Sequence, residues 1–154
     1  MTHDAYRLDE LRHMLAHAEA SAPGVSQWSV GMHVHHCALT MILIGKGLAA
    51  STPPAPPSRS SLAKTAVFTS GRIPRGRAKN NERSQPSASV PRAEMLALLE
   101  ESAREIESAT GLAAGTWITH PVFGPLQRDD ALKFVRIHNR HHLRIVADIL
   151  KSRR

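Results

Sequence analysis

Three histidines stand inside the apolar helix pattern "VRIHNRHHLRIVADI" at residues 135–149. Histidine is usually only partly buried, and several in a helical core cost free energy unless their nitrogens have partners. A metal ion is one such partner. His138 and His142 fall on the series Ala131, Val135, His138, His142, Ile145, Ile149, whose alternating steps of four and three make a core-facing stripe. Imidazoles at i and i+4 project from adjacent turns of one face and can share a cation, as in helical zinc sites. The alternative is two core histidines satisfied by hydrogen bonds. His141 lies off the centre of the stripe, as a supporting or surface residue.

A second group is "HVHH", with His33, His35 and His36. His33 falls towards the edge of the apolar face. His35 and His36 each lie within about 60° of the mean direction set by Trp28, Met32, Leu39 and Leu43, so periodicity leaves both open. His13 and His17 lie roughly opposite Leu8, Leu11, Leu15 and Ala18, and are read as solvent-facing. His120, in "THPVFG", is the candidate catalytic acid or base that is not a ligand, because imidazole titrates near neutral pH; a capping or packing role is its alternative. Glu100, Glu101 and Glu105 are either partners of ligand histidines or a solvated face. Cys37 is turned about 100° from His36 and reads as a small apolar residue. Trp28, two turns before His36, is either core or a platform for substrate.

Four helical segments must position these groups. The first spans roughly His3 to Ala20. The second begins near Ser26, read as its N-cap, and ends at "GKG" and "STPPAPP". The third opens at Pro91 and runs to Gly111. The fourth extends from Arg128 to the basic "KSRR" end, with Asp129 and Asp130 in its first turn. Only 4% of the residues are aromatic, and the apolar ones are mostly Leu, Ala, Val, Ile and Met, which suits helix packing. The expectation is an all-α single domain over residues 1–154, a four-helix bundle.

Between the second and third helices, residues 51–90 form a long connection rich in Pro, Ser and Arg. It is too long for a tight turn, permits a crossover that leaves the two helices parallel, and reads as mobile and partly extended. "WITHPVFGPL" (117–126) is apolar and punctuated by Pro and Gly, and is expected to be an ordered loop across one end of the bundle.

The formal charge of +7 invites a nucleic-acid reading, so its placement matters. It is concentrated in the connection, where Arg59, Lys64, Arg72, Arg75, Arg77, Lys79 and Arg83 stand against Glu82 alone. The rest of the chain is close to neutral. Phe68 is the only aromatic residue there, so stacking platforms are lacking, and charge alone would give salt-sensitive binding without sequence preference. Nucleic acid is therefore not the expected partner. Cys37 is the single cysteine, which rules out an internal disulfide. No signal-like or membrane-length apolar run is present, so a cytoplasmic protein with no membrane partner is the expectation.

Taken together, "WSV" at the start of the second helix, a histidine eight residues after its Trp, "HPVFGPL", and the late "HNRHH" with an apolar tail resemble the DinB-like metal-binding four-helix bundles. The likeness is greatest to the subgroup with an HPxFGPL loop, a family of unknown function, and it covers roughly residues 1–50 and 91–152. In that pattern the first ligand is the histidine eight positions past the tryptophan, which is His36 here, joined by His138 and His142. The resemblance implies an up-down-down-up bundle. It further implies a divalent metal, zinc or nickel as first choices, a small-molecule substrate, in several members a low-molecular-weight thiol, and a homodimer.

Three neutral imidazoles would leave at least one coordination position open, the mark of a reactive rather than a structural site. The functional expectation is a metal-dependent enzyme, a thiol-dependent S-transferase or a hydrolase. The alternative is a non-catalytic, metal-stabilised binding or stress-response protein whose basic segment contacts an anionic partner.

Overall fold

The computed structural model describes residues 5–57, 61–76 and 81–153. Helix α1 (Leu8–Met14) runs into a 3₁₀ turn (Leu15–His17), and α2 is the long helix Val30–Ala50. Helix α3 (Leu62–Ser70) and a second 3₁₀ turn (Glu82–Ser84) lie within the connection. They are followed by α4 (Arg92–Thr110), the antiparallel hairpin β1 (Trp117–His120) and β2 (Gly124–Gln127), and α5 (Arg128–Lys151). The protein is thus mostly helical, with one small sheet. Among the described residues no helix is long and apolar enough to cross a membrane.

Helix α2 is the centre of the molecule. Val30, Val34, Cys37, Ala38, Met41, Ile44 and Leu48 are all buried, and so are its three histidines. It packs against α4 on one side and α5 on the other. The α2–α4 contact is close because Gly45 faces Glu105. A Cβ at position 45 would stand 2.7 Å from the Glu105 Cβ and 2.9 Å from its carbonyl oxygen. Backbone cannot move aside like the end of a flexible side chain, so Gly45→Ala is expected to lower stability by about 1–3 kcal/mol in a urea titration.

The first helix is shorter than its apolar pattern suggests. Carbonyls just past its 3₁₀ turn face α2: the amides of Val30 and Gly31 donate to the Ala20 and Ala18 carbonyls, both at 2.9 Å. These bonds satisfy two amides at the amino end of α2. The N-cap of α2 is Ser29, whose hydroxyl accepts from the Met32 amide at 3.3 Å, and not Ser26. His13 and His17 are exposed, as expected.

In α5 every member of the expected stripe, Ala131, Val135, His138, His142, Ile145 and Ile149, is buried. The segment 117–126 is a hairpin rather than an irregular loop. Its Trp117 amide donates to the Ser51 hydroxyl at 2.9 Å and its indole N–H to the Thr52 carbonyl at 3.1 Å, which ties it to the end of α2.

The connection also carries structure that its composition hides. Ser61 caps α3 by accepting from the Lys64 amide, and Gly71, at φ 63°, ends it in the left-handed region that glycine favours. Val67 is buried, and Phe68 meets Phe123 edge to face at 5.7 Å. Lys64 pairs with Asp130 at 2.8 Å and Arg75 with Asp148 at 2.7 Å, so the segment is fastened to α5 at two points. Arg59, Arg77 and Lys79 lie outside the described residues.

Candidate metal centre

His36 on α2 and His138 and His142 on α5 converge, with one nitrogen from each ring lying within 4.8 Å of the others. All three are buried, and their ring centroids are 4.5–4.9 Å apart. His36 Nδ1 is 2.7 Å from the Ser84 carbonyl oxygen. A carbonyl only accepts, so Nδ1 carries the proton and Nε2 keeps its lone pair. That lone pair faces His138 Nε2 at 3.0 Å. The connection thus fixes the tautomer of His36 through its backbone.

His142 is held from the other side. Its Nδ1 is 2.9 Å from His33 Nδ1, and His33 Nε2 is 3.0 Å from the Ser26 hydroxyl. In the tautomer where His142 donates its Nδ1–H to His33, His142 presents Nε2 to an ion and His33 donates its own proton to Ser26. Trp28 covers the group, its ring 5.0 Å from that of His36 and stacked at 6.1 Å on that of His142. His138 Nδ1 is buried without a hydrogen-bond partner among the described residues, and its Nε2 is the atom turned to His36.

Burial sets the charge state of the cluster. It pushes His138 and His142 well below the ordinary imidazole value, and their neighbouring imidazoles push the same way. His36 is lowered by burial too, against the opposing pull of the Ser84 carbonyl, and His33 is lowered to about 4, chiefly by burial. Neutral imidazoles with available lone pairs are what a divalent cation requires. The donor set and its spacing therefore fit a metal ion.

His35, which periodicity could not separate from His36, turns elsewhere: its Nδ1 accepts from the Ser87 amide at 3.0 Å. His33 is the residue missed. Periodicity sets it towards the edge of the apolar face, yet it is 2% exposed and its Nδ1 lies 2.9 Å from that of His142. Its position one turn before His36 was the available signal. Replacing it by Phe is expected to weaken metal binding about 10–100-fold in a chelator competition, with the helical signal unchanged.

His141 is half-buried, its ring 5.1 Å from that of His142. None of the three glutamates on α4 supports the histidine cluster: Glu101 pairs with Lys46 at 2.7 Å, Glu105 packs against Gly45, and Glu100 is exposed. Cys37 is fully buried and burial raises its thiol pKa, so no thiolate forms there. We expect it to resist alkylation in the native protein and to react on unfolding, as mass spectrometry would record.

His120 ends β1. Its Nδ1 accepts from the amides of Val122 and Phe123 at 3.1 and 3.2 Å, which leaves its proton on Nε2. The ring stacks on Phe123 at 4.5 Å and meets Phe134 at 4.6 Å, and Phe134 in turn lies 5.4 Å from His138. Burial lowers its pKa to about 4. His120 is therefore neutral at pH 7 and suited to donating a hydrogen bond rather than to exchanging a proton. It shares with the cluster a cavity of about 1140 Å³.

Two long helices bring three buried histidines to one point beside a large cavity, a helical arrangement suited to holding a metal ion. The family model for the DinB superfamily matches residues 7–146, and the chain belongs to that superfamily. No curated protein matches the chain, and no solved structure does.

Proposed function

We propose that this protein is a divalent-metal-dependent enzyme, a thiol-dependent S-transferase or a hydrolase, with His36, His138 and His142 as ligands and zinc or nickel as the ion. The observation that carries the reading is that the three-histidine cluster opens on a cavity. Among the described residues no carboxylate or thiol joins the three imidazoles as a fourth ligand. A structural zinc is normally closed by four protein ligands. The up-down-down-up bundle belongs to the same proposal, supported by the packing of α2 between α4 and α5 and by the long connection before α4.

When bound, such an ion is a Lewis acid that makes a thiol or a water molecule acidic near neutral pH. The protein supplies the rest. Ser84 and His33 aim two of the ligands, Trp28 keeps bulk water from one side of them, and His120 offers an Nε2–H to a polar atom of the substrate. The test is a screen of small thiols with electrophilic acceptors, and of ester and amide substrates, on zinc- and nickel-loaded protein. Turnover that is lost in His138→Ala supports the reading. No turnover with any pair under metal saturation counts against it.

The non-catalytic alternative needs a basic segment free to recruit an anion. Two of its basic residues, Lys64 and Arg75, are engaged with Asp130 and Asp148, which reduces the charge it can offer. We expect no complex with duplex DNA that survives moderate salt in a mobility-shift assay.

A further inference from the structure

The cavity beside the cluster has a composition that selects its ligand. Leu43 and Ile44 of α2, Val67 and Ile73 of the connection, and Phe123 and Phe134 give it apolar walls. Among the described residues no aspartate or glutamate lines it, and Arg83 is the one lysine or arginine that does. Three neutral imidazoles leave the full double charge of an ion uncompensated, in walls that screen charge poorly. Arg83 adds to the same sign. A negative charge must come from what binds.

We infer that the ligand of this cavity is a small amphiphile with one anionic head, a thiolate or a carboxylate, directed to the histidine cluster and an alkyl or aryl body along α2 beneath α3. The inference rests on the proposed metal-dependent function for the position of the head; the apolar body follows from the walls alone. It also gives residues 61–76 and 81–84 a purpose. The connection supplies Val67 and Ile73 as a roof, so without it the body of the ligand would lie in water.

The test uses n-alkanoates, n-alkanethiols and n-alkanols from butyl to decyl, titrated calorimetrically into metal-free and zinc-loaded protein. Each added methylene is expected to tighten binding about fourfold in all three series, with or without zinc, until the cavity is filled. Zinc is expected to add a further tenfold or more for the alkanoates or the alkanethiols and nothing for the alkanols. Leu43→Trp should shorten the chain at which the gain stops, with zinc content and helical signal unchanged. Affinity that is flat with chain length overturns the apolar body. Alkanoates and alkanethiols that bind zinc-loaded protein no better than alkanols overturn the anionic head. Failure of zinc to bind at all, read by elemental analysis, overturns the proposed function while the chain-length gain in the metal-free protein still supports the apolar body.

Discussion

His138→Ala, prepared without an affinity tag, is expected to bind zinc at least 100-fold more weakly than the wild type while remaining helical. His138 Nε2 faces His36 Nε2 at 3.0 Å, and its ring is the shared neighbour of the other two ligands. Removing it leaves two donors, too few to displace several water molecules from a cation. The cavity left in the core costs stability as well, about 2–4 kcal/mol by analogy with other large-to-small changes. Gln at position 138 refills the volume without an imidazole lone pair, so it separates the two effects: stability returns and zinc binding does not. Elemental analysis and chelator competition on both variants read the outcome.

The second large effect is acid sensitivity of the metal-free protein. His33, His120 and His141 are each lowered to about 4, with burial the largest cause, and His36, His138 and His142 are lowered as well. A histidine whose folded pKa lies below its unfolded value takes up its proton first in the unfolded chain. Stability is therefore complete above about pH 6.5 and drains away as the pH falls towards about 4. One such shift from 6.5 to about 4 corresponds to roughly 3 kcal/mol, and less for the half-exposed His141. Two or three of them match the whole stability of an ordinary domain. We expect the urea midpoint to fall steeply between pH 6.5 and 4.5, and zinc to offset the loss until protons displace it. His120→Phe should reduce the proton uptake on unfolding by about one. A midpoint independent of pH over that window would contradict the burial of these rings.

The site was unevenly legible in the sequence, for physical reasons. Helix α5 has one face on the core and one in water, so the stripe through His138 and His142 could be read from its periodicity. Helix α2 is buried on nearly all sides. A helix apolar all round has no direction for periodicity to find, which is why His35 and His36 stayed tied and His33 was set at the edge. Resemblance to the superfamily chose His36, which lies with His138 and His142 in the structure.

The support for the ligands was less visible still. Ser84 acts through its carbonyl, which every residue type carries, so nothing in the side-chain pattern marks it. In the connection, Val67 is the one buried residue of the nine-residue helix α3. A single inward contact among prolines, serines and arginines leaves no period to detect. The same segment pairs with α5 through Lys64 and Arg75, so two charges of a cluster that looks solvated in the sequence act as fasteners.

The most direct test of the central claim is a crystal structure of the zinc-loaded protein with anomalous data collected on either side of the zinc edge. The expected result is one anomalous peak per chain, about 2.0–2.1 Å from a nitrogen of each of His36, His138 and His142, with a further position open to the cavity. A saturated crystal with no peak there, or with its zinc held only by surface histidines such as His13 and His17, would contradict it.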